Sequence, residues 1–140
     1  MTHNPLIHSN RPAVLLAEDD PDQSEMLADI LDGEGYTVET AFSGEAALHK
    51  LMNREYELVL LDIRMPGMYG SEVLRRFRTK EKDARTAIIV LSAFATEPEM
   101  QQHRRDGANL SLSKPYDFEE LIAAIEKFVG PRKGATSCSQ

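Results

Sequence analysis

The chain has 140 residues, 41% apolar and 28% charged, with a formal net charge of −7 and one cysteine. This length suits one domain with a single core, and the acidity argues against non-specific nucleic-acid binding, which needs basic surface. No apolar run reaches membrane-spanning length, "MTHNPLIHSNRP" lacks the apolar stretch of a signal peptide, and Cys138 has no internal disulfide partner; a cytoplasmic protein is expected.

Residues 1–12 and 131–140, rich in Asn, Ser, Pro and Gly, read as flexible tails around a domain over 13–130. "AVLLA" from Ala13 reads as a strand covered on both faces. It stops at Glu18, Asp19 and Asp20. Two such charges about 5 Å apart repel by roughly 3 kcal/mol at an effective dielectric near 20. Either the acids are solvated, or a cation sits among them. Asp20-Pro21-Asp22-Gln23 carries a capping aspartate, a proline at the first helical position and a Gln at capping-box spacing. Gly33 and Gly35 stand where that helix should end.

"YTVETA" from Tyr36 alternates, as an edge strand does. "ELVLLD" from Glu57 is a second apolar strand, ending at Asp62 before the turn "IRMPGMYG", in which Met65 and Met68 read as loop packing. "RRFRTKEK" from Arg75 ends a helix, where cations complement the helix dipole, and reads as a solvated face. "AIIVLS" from Ala87 is the third apolar strand. Thr96-Glu97-Pro98-Glu99 then opens a helix whose only strongly apolar residue up to Asp106 is Met100. That helix is either simply exposed, or movable and a partner surface. Gly107 should end it. "NLSLS" from Asn109 alternates and runs into Lys114-Pro115. Asp117-Phe118-Glu119-Glu120 repeats the capping-box spacing. The last helix carries Phe118, Leu121, Ile122, Ile125, Phe128 and Val129 on one face before Gly130-Pro131. Five strand–helix units make an α/β domain with a parallel sheet.

In such a sheet ligands bind beyond the carboxyl ends of the strands. Glu18-Asp19, Asp62, Ser92-Ala93 and Lys114 all stand at such ends. Any one of the acids alone would be an ordinary turn former or cap; four strand ends converging are not. Asp19 and Asp62, with Glu18 directly or through water, are hard oxygen ligands suited to Mg²⁺. A carboxylate can also attack phosphorus to form an acyl phosphate, with a metal and an ammonium group stabilising the transferring oxygens. Asp62 suits the nucleophile because it stands alone after its strand, and Ser92 could add a hydrogen bond. His3, His8, His49 and His103 show no metal-ligand spacing.

"VLLAEDDP", "LVLLDIRMPGMYGSE", "VLSAFA" and "LSKPYDFEEL", in this order, resemble the receiver domains of bacterial two-component response regulators, chemotaxis-regulator-like, from about Ala13 to Val129. The resemblance implies a doubly wound, flavodoxin-like (βα)5 fold with sheet order 2-1-3-4-5. It implies Mg²⁺-dependent phosphorylation of Asp62 by a phosphohistidine of a sensor histidine kinase or histidine phosphotransfer protein. Glu18 and Asp19 become the metal-binding acidic pair, with Asp62 and the backbone carbonyl of Arg64 as further ligands. Ser92 becomes the switch hydroxyl, Lys114 the phosphoryl contact and Ala93 the small residue that leaves the site open. Lys114-Pro115 is expected to be cis, and Asp20 falls outside the metal pair as a cap. Output is expected through the fourth helix, fifth strand and fifth helix, toward an unidentified downstream protein or a phosphorylation-dependent homodimer. No direct nucleic-acid or membrane binding is implied.

The chain departs from the family at several points. Ser111 stands three residues before the lysine, where Tyr or Phe is usual, so aromatic switching is not expected there. The acidic pair is Glu-Asp where Asp-Asp is commonest. Arg64 and Phe94 occupy rim positions, and two bulky side chains there would shield the phosphoryl group and slow self-dephosphorylation.

The leading reading is a phosphoacceptor switch, not an enzyme. The chain ends about ten residues after the last helix, so output is expected through another protein, or the chain is a receiver from a longer regulator or hybrid kinase. The alternative is an aspartyl-nucleophile phosphohydrolase, but the general acid expected two residues after Asp62 is replaced by Arg64. A flavodoxin-like nucleotide binder wants a Gly- and Ser-rich phosphate loop where "EDDPDQ" stands.

Overall fold

The computed structural model describes residues 11–80, 85–93 and 95–130. The expectations for Phe94, His3, His8, Cys138 and nearly all of both tails lie outside these residues. Five strands, β1 (Ala13–Ala17), β2 (Thr37–Ala41), β3 (Leu58–Asp62), β4 (Ala87–Ala93) and β5 (Leu110–Lys114), pair in parallel in the order β2-β1-β3-β4-β5. Helices α1 (Pro21–Gly33), α2 (Gly44–Asn53), α3 (Gly70–Lys80), α4 (Glu97–Asp106) and α5 (Phe118–Val129) follow the strands in turn.

The continuous apolar strands divide their side chains between two cores, because successive residues point to opposite faces. Leu15, Val59, Leu61, Ile88 and Val90 pack on one face with Val73 and Phe77 of α3. Val14, Leu16, Leu58, Leu60 and Leu91 pack on the other with Leu27 and Leu31 of α1 and Leu121 and Ile125 of α5. Each such side chain stabilises the fold by about 1.5–3 kcal/mol when fully buried. The alternating strands β2 and β5 are the edges, as their patterns require.

The helix ends follow the capping chemistry in part. Asp20 Oδ1 accepts the Asp22 N–H at 3.0 Å, and the Thr96–Glu99 capping box closes in both directions. Asp117 is the N-cap of α5 but its side chain makes no capping bond, so the spacing there is not used. Phe118 is 40% exposed instead of buried on the α5 face; it is the first residue of the helix, with its ring against Tyr116 at 6.4 Å. Arg11 Nη2, before β1, donates to the Asp32 and Tyr36 carbonyls at 2.5 and 2.7 Å, tying off the end of α1.

The chain passes outward from β1 to β2 and then back across β1 to β3. The reversal opens a crevice at the carboxyl ends of β1 and β3.

Candidate functional site

The crevice holds the acids that end the strands. Glu18, Asp19 and Asp62 each bring a carboxylate oxygen within 4.8 Å of the others. Glu18 and Asp62 are 7% and 6% exposed, whereas Asp19 faces solvent. Lys114 comes from the far edge of the sheet, and its Nζ donates to Asp62 Oδ2 at 2.9 Å and lies 3.4 Å from Glu18 Oε1. The Lys114–Pro115 peptide is cis. Backbone N–H groups complete the site: that of Arg64 donates to Asp62 Oδ1 and that of Asp20 to Glu18 Oε2, each at 3.1 Å.

One ammonium is set against three carboxylates. Burial pushes the Glu18 carboxyl up to about 7, and Asp62 adds to the rise against the pull of the Asp20 N–H and Lys114. Burial alone would lower Lys114, but its bonds and charge pairing with Asp62 and Glu18 hold it above the usual lysine value. The site therefore has excess negative charge on hard oxygen donors, the environment a small divalent cation relieves.

Asp62 is held from behind by the following turn. Gly70 N donates to the Ile63 carbonyl at 2.8 Å, and a Cβ at Gly70 would collide with the Asp62 carbonyl oxygen. Met65 is buried in the core and Met68 packs against it, so both methionines are packing residues.

Ala93 and Arg64 line the cleft, the latter exposed on its rim. Ser92 stands one residue beyond Leu91, the β4 partner of Asp62. It is half-buried, does not line the cleft and makes no hydrogen bond to the acids. Asp20 serves both as a cap and as an N–H donor to Glu18.

Two features escaped sequence reasoning. Gln23 leaves the capping box unused and lines the cleft. Ser111, where an aromatic residue is usual, is buried and hydrogen-bonded to His103 of α4. A serine–histidine contact eight residues apart leaves no periodic signal. The basic stretch does carry structural jobs: Arg75 pairs with Asp106, Arg76 with Glu72, and Arg78 donates to the Gly107 carbonyl.

Residues 14–126 match the response regulator receiver domain family. A transcriptional regulatory protein, the CpxR homologue of Haemophilus influenzae, is 39% identical over 113 residues, 81% of this chain and 48% of that protein. The chain thus spans about half the length of such curated relatives. Among solved structures, the response regulator TrrA of Thermotoga maritima in complex with Mg(2+)-BeF is 35% identical, with a TM-score of 0.74 over 84% of this chain and 98% of that one. The receiver domain of sensor histidine kinase PA1611 of Pseudomonas aeruginosa, with a magnesium ion coordinated in the active-site cleft, is 28% identical, with a TM-score of 0.78 over 86% and 98%. On sheet order, cleft and sequence alike, the chain belongs to the family of response regulator receiver domains of two-component signalling.

Proposed function

We propose that the chain is a phosphoacceptor switch in which Asp62 accepts a phosphoryl group from the phosphohistidine of a sensor histidine kinase or phosphotransfer protein. The observation that carries this reading is the Lys114 ammonium 2.9 Å from Asp62, inside a cluster of three carboxylates. Glu18, Asp19, Asp62 and the Arg64 carbonyl would hold Mg²⁺, consistent with the oxygen donors present. When bound, the ion supplies charge neutralisation for the acids and the phosphoryl oxygens.

The protein's own groups account for the rest of the chemistry. One Asp62 oxygen attacks phosphorus; the P–O bond forms as the P–N bond breaks, and the bond pair leaves with the histidine nitrogen. Lys114 stabilises charge on the transferred group. Ser92, its hydroxyl uncommitted, can turn toward that group and carry the β4–α4 loop with it. The α4–β5–α5 face is the output surface, for a downstream protein or a second copy of this chain. A cytoplasmic location accords with such donors; among the described residues no helix is long and apolar enough to cross a membrane. Residues 13–130 form the receiver unit, of a stand-alone regulator or of a longer protein.

Incubation with Mg²⁺ and acetyl phosphate, followed by intact mass measurement, tests the reading. One base-labile phosphoryl group, absent in Asp62→Ala, supports it. Phosphate release over many turnovers would indicate a phosphohydrolase, and absence of modification by any donor or kinase would remove the proposal.

A further inference from the structure

Helix α4 meets the sheet differently from the other four. No residue of α4 joins either apolar core. His103 is its single buried side chain, 8% exposed. The ring Nδ1 lies 2.8 Å from Oγ of Ser111, itself 5% exposed, the second residue of β5, opposite Val90. Two residues on, Ser113 Oγ accepts the Ala95 N–H at 3.1 Å, so the segment entering α4 is tied to the same strand. The helix thus stands on a polar seam, where its counterparts stand on leucine, valine and isoleucine.

Such a seam depends on the charge of the ring. A neutral imidazole bonds Ser111 in either tautomer, as Nδ1–H donor or as Nδ1 acceptor. A protonated ring must carry its charge into a buried site. The charged groups acting on it are Asp106, Glu99 and Arg104 on α4; Arg75 and Arg78 of α3 hold Asp106 and the Gly107 carbonyl. The facing residues of β4 and β5, Val90, Ser92, Ser111 and Ser113, carry no charge. Burial lowers the imidazole below the usual histidine value, and the attraction of Asp106 and Glu99 does not restore it. Asp106 is moreover already engaged by Arg75.

We propose that the His103–Ser111 bond is a proton-operated latch: with the imidazole neutral α4 is docked on β5, and protonation of His103 releases α4 without phosphorylation of Asp62. The sign follows from linkage. Undocked, the ring faces water and binds its proton more tightly, so acidification favours the undocked helix. Between the docked and undocked values, each pH unit shifts the balance about tenfold.

The test uses the full unphosphorylated chain, by NMR and amide hydrogen exchange between pH 8 and 5. The His103 ring resonance, assigned by its absence in His103→Asn, should titrate below the usual histidine value. Amides of residues 95–106 and of Ser111 should shift with the same midpoint. Exchange of α4, corrected for its intrinsic pH dependence, should accelerate on acidification in the wild type and not in His103→Asn, which can still bond Ser111 but does not titrate. Any change driven by Glu18 would survive in that variant and is thereby separated. Ser111→Ala provides a second arm: α4 should exchange faster at neutral pH and respond less to acid. Identical pH responses in wild type and His103→Asn, or wild-type exchange in Ser111→Ala at both pH extremes, would overturn the latch.

Discussion

Lys114 Nζ donates to Asp62 Oδ2 across 2.9 Å, joining the ends of β5 and β3 over the intervening β4. The same ammonium also faces Glu18. Because one cation serves several acids, the site is under electrostatic tension in the absence of a divalent ion.

Glu18 holds its proton more tightly in the folded protein than at its ordinary value of 4.5. Its contribution to stability is therefore fully present below that value and is lost as pH rises through about 7. In EDTA, urea unfolding should show the wild type losing about 1–2 kcal/mol relative to Glu18→Gln between pH 5 and pH 8. Parallel pH profiles for the two proteins would contradict the assignment.

Magnesium should reverse that loss. Binding to the folded state alone stabilises by about 2.7 kcal/mol at a free concentration about 100 times Kd. Thermal unfolding at pH 8 should show this rise for the wild type and little of it for Asp19→Asn or Asp62→Asn. An equal rise in all three would place the ion elsewhere.

Gly70 has no room for a side chain, since its Cβ would meet the backbone of Asp62. Gly70→Ala should cost about 1–3 kcal/mol through overpacking and slow acetyl phosphate labelling by displacing the acceptor. Chemical denaturation and a labelling time course measure the two effects. A variant that folds and labels like the wild type would show that the turn can relax.

Arg64 is exposed at the cleft mouth. If its side chain shields the phosphoryl group from water, Arg64→Ala should dephosphorylate several-fold faster in Mg²⁺ buffer, followed by loss of phosphoryl mass. A half-life of seconds for the phosphorylated wild type would argue against shielding.

Much of this was legible in the sequence. The three apolar strands, each ending on a charged or hydroxyl residue, announced a parallel sheet with its chemistry at one edge, because burial on both faces forbids polar residues until the strand ends. Edge strands betrayed themselves by alternation, and the proline and capping residues of α1 and α4 marked their starts. At the start of α5 neither local signal was realised: Asp117 makes no capping bond and Phe118 stays exposed.

Local order alone determined the element types, the strand that each acid terminates and the family motifs, since periodicity and capping act within a few residues. Only the tertiary structure decided that Lys114 reaches Asp62 and Glu18, 52 and 96 residues away. It alone decided, too, that α4 rests on His103 and Ser111 instead of Met100. Such contacts depend on strand order and on the depth at which a side chain is desolvated, and neither quantity is carried by spacing along the chain.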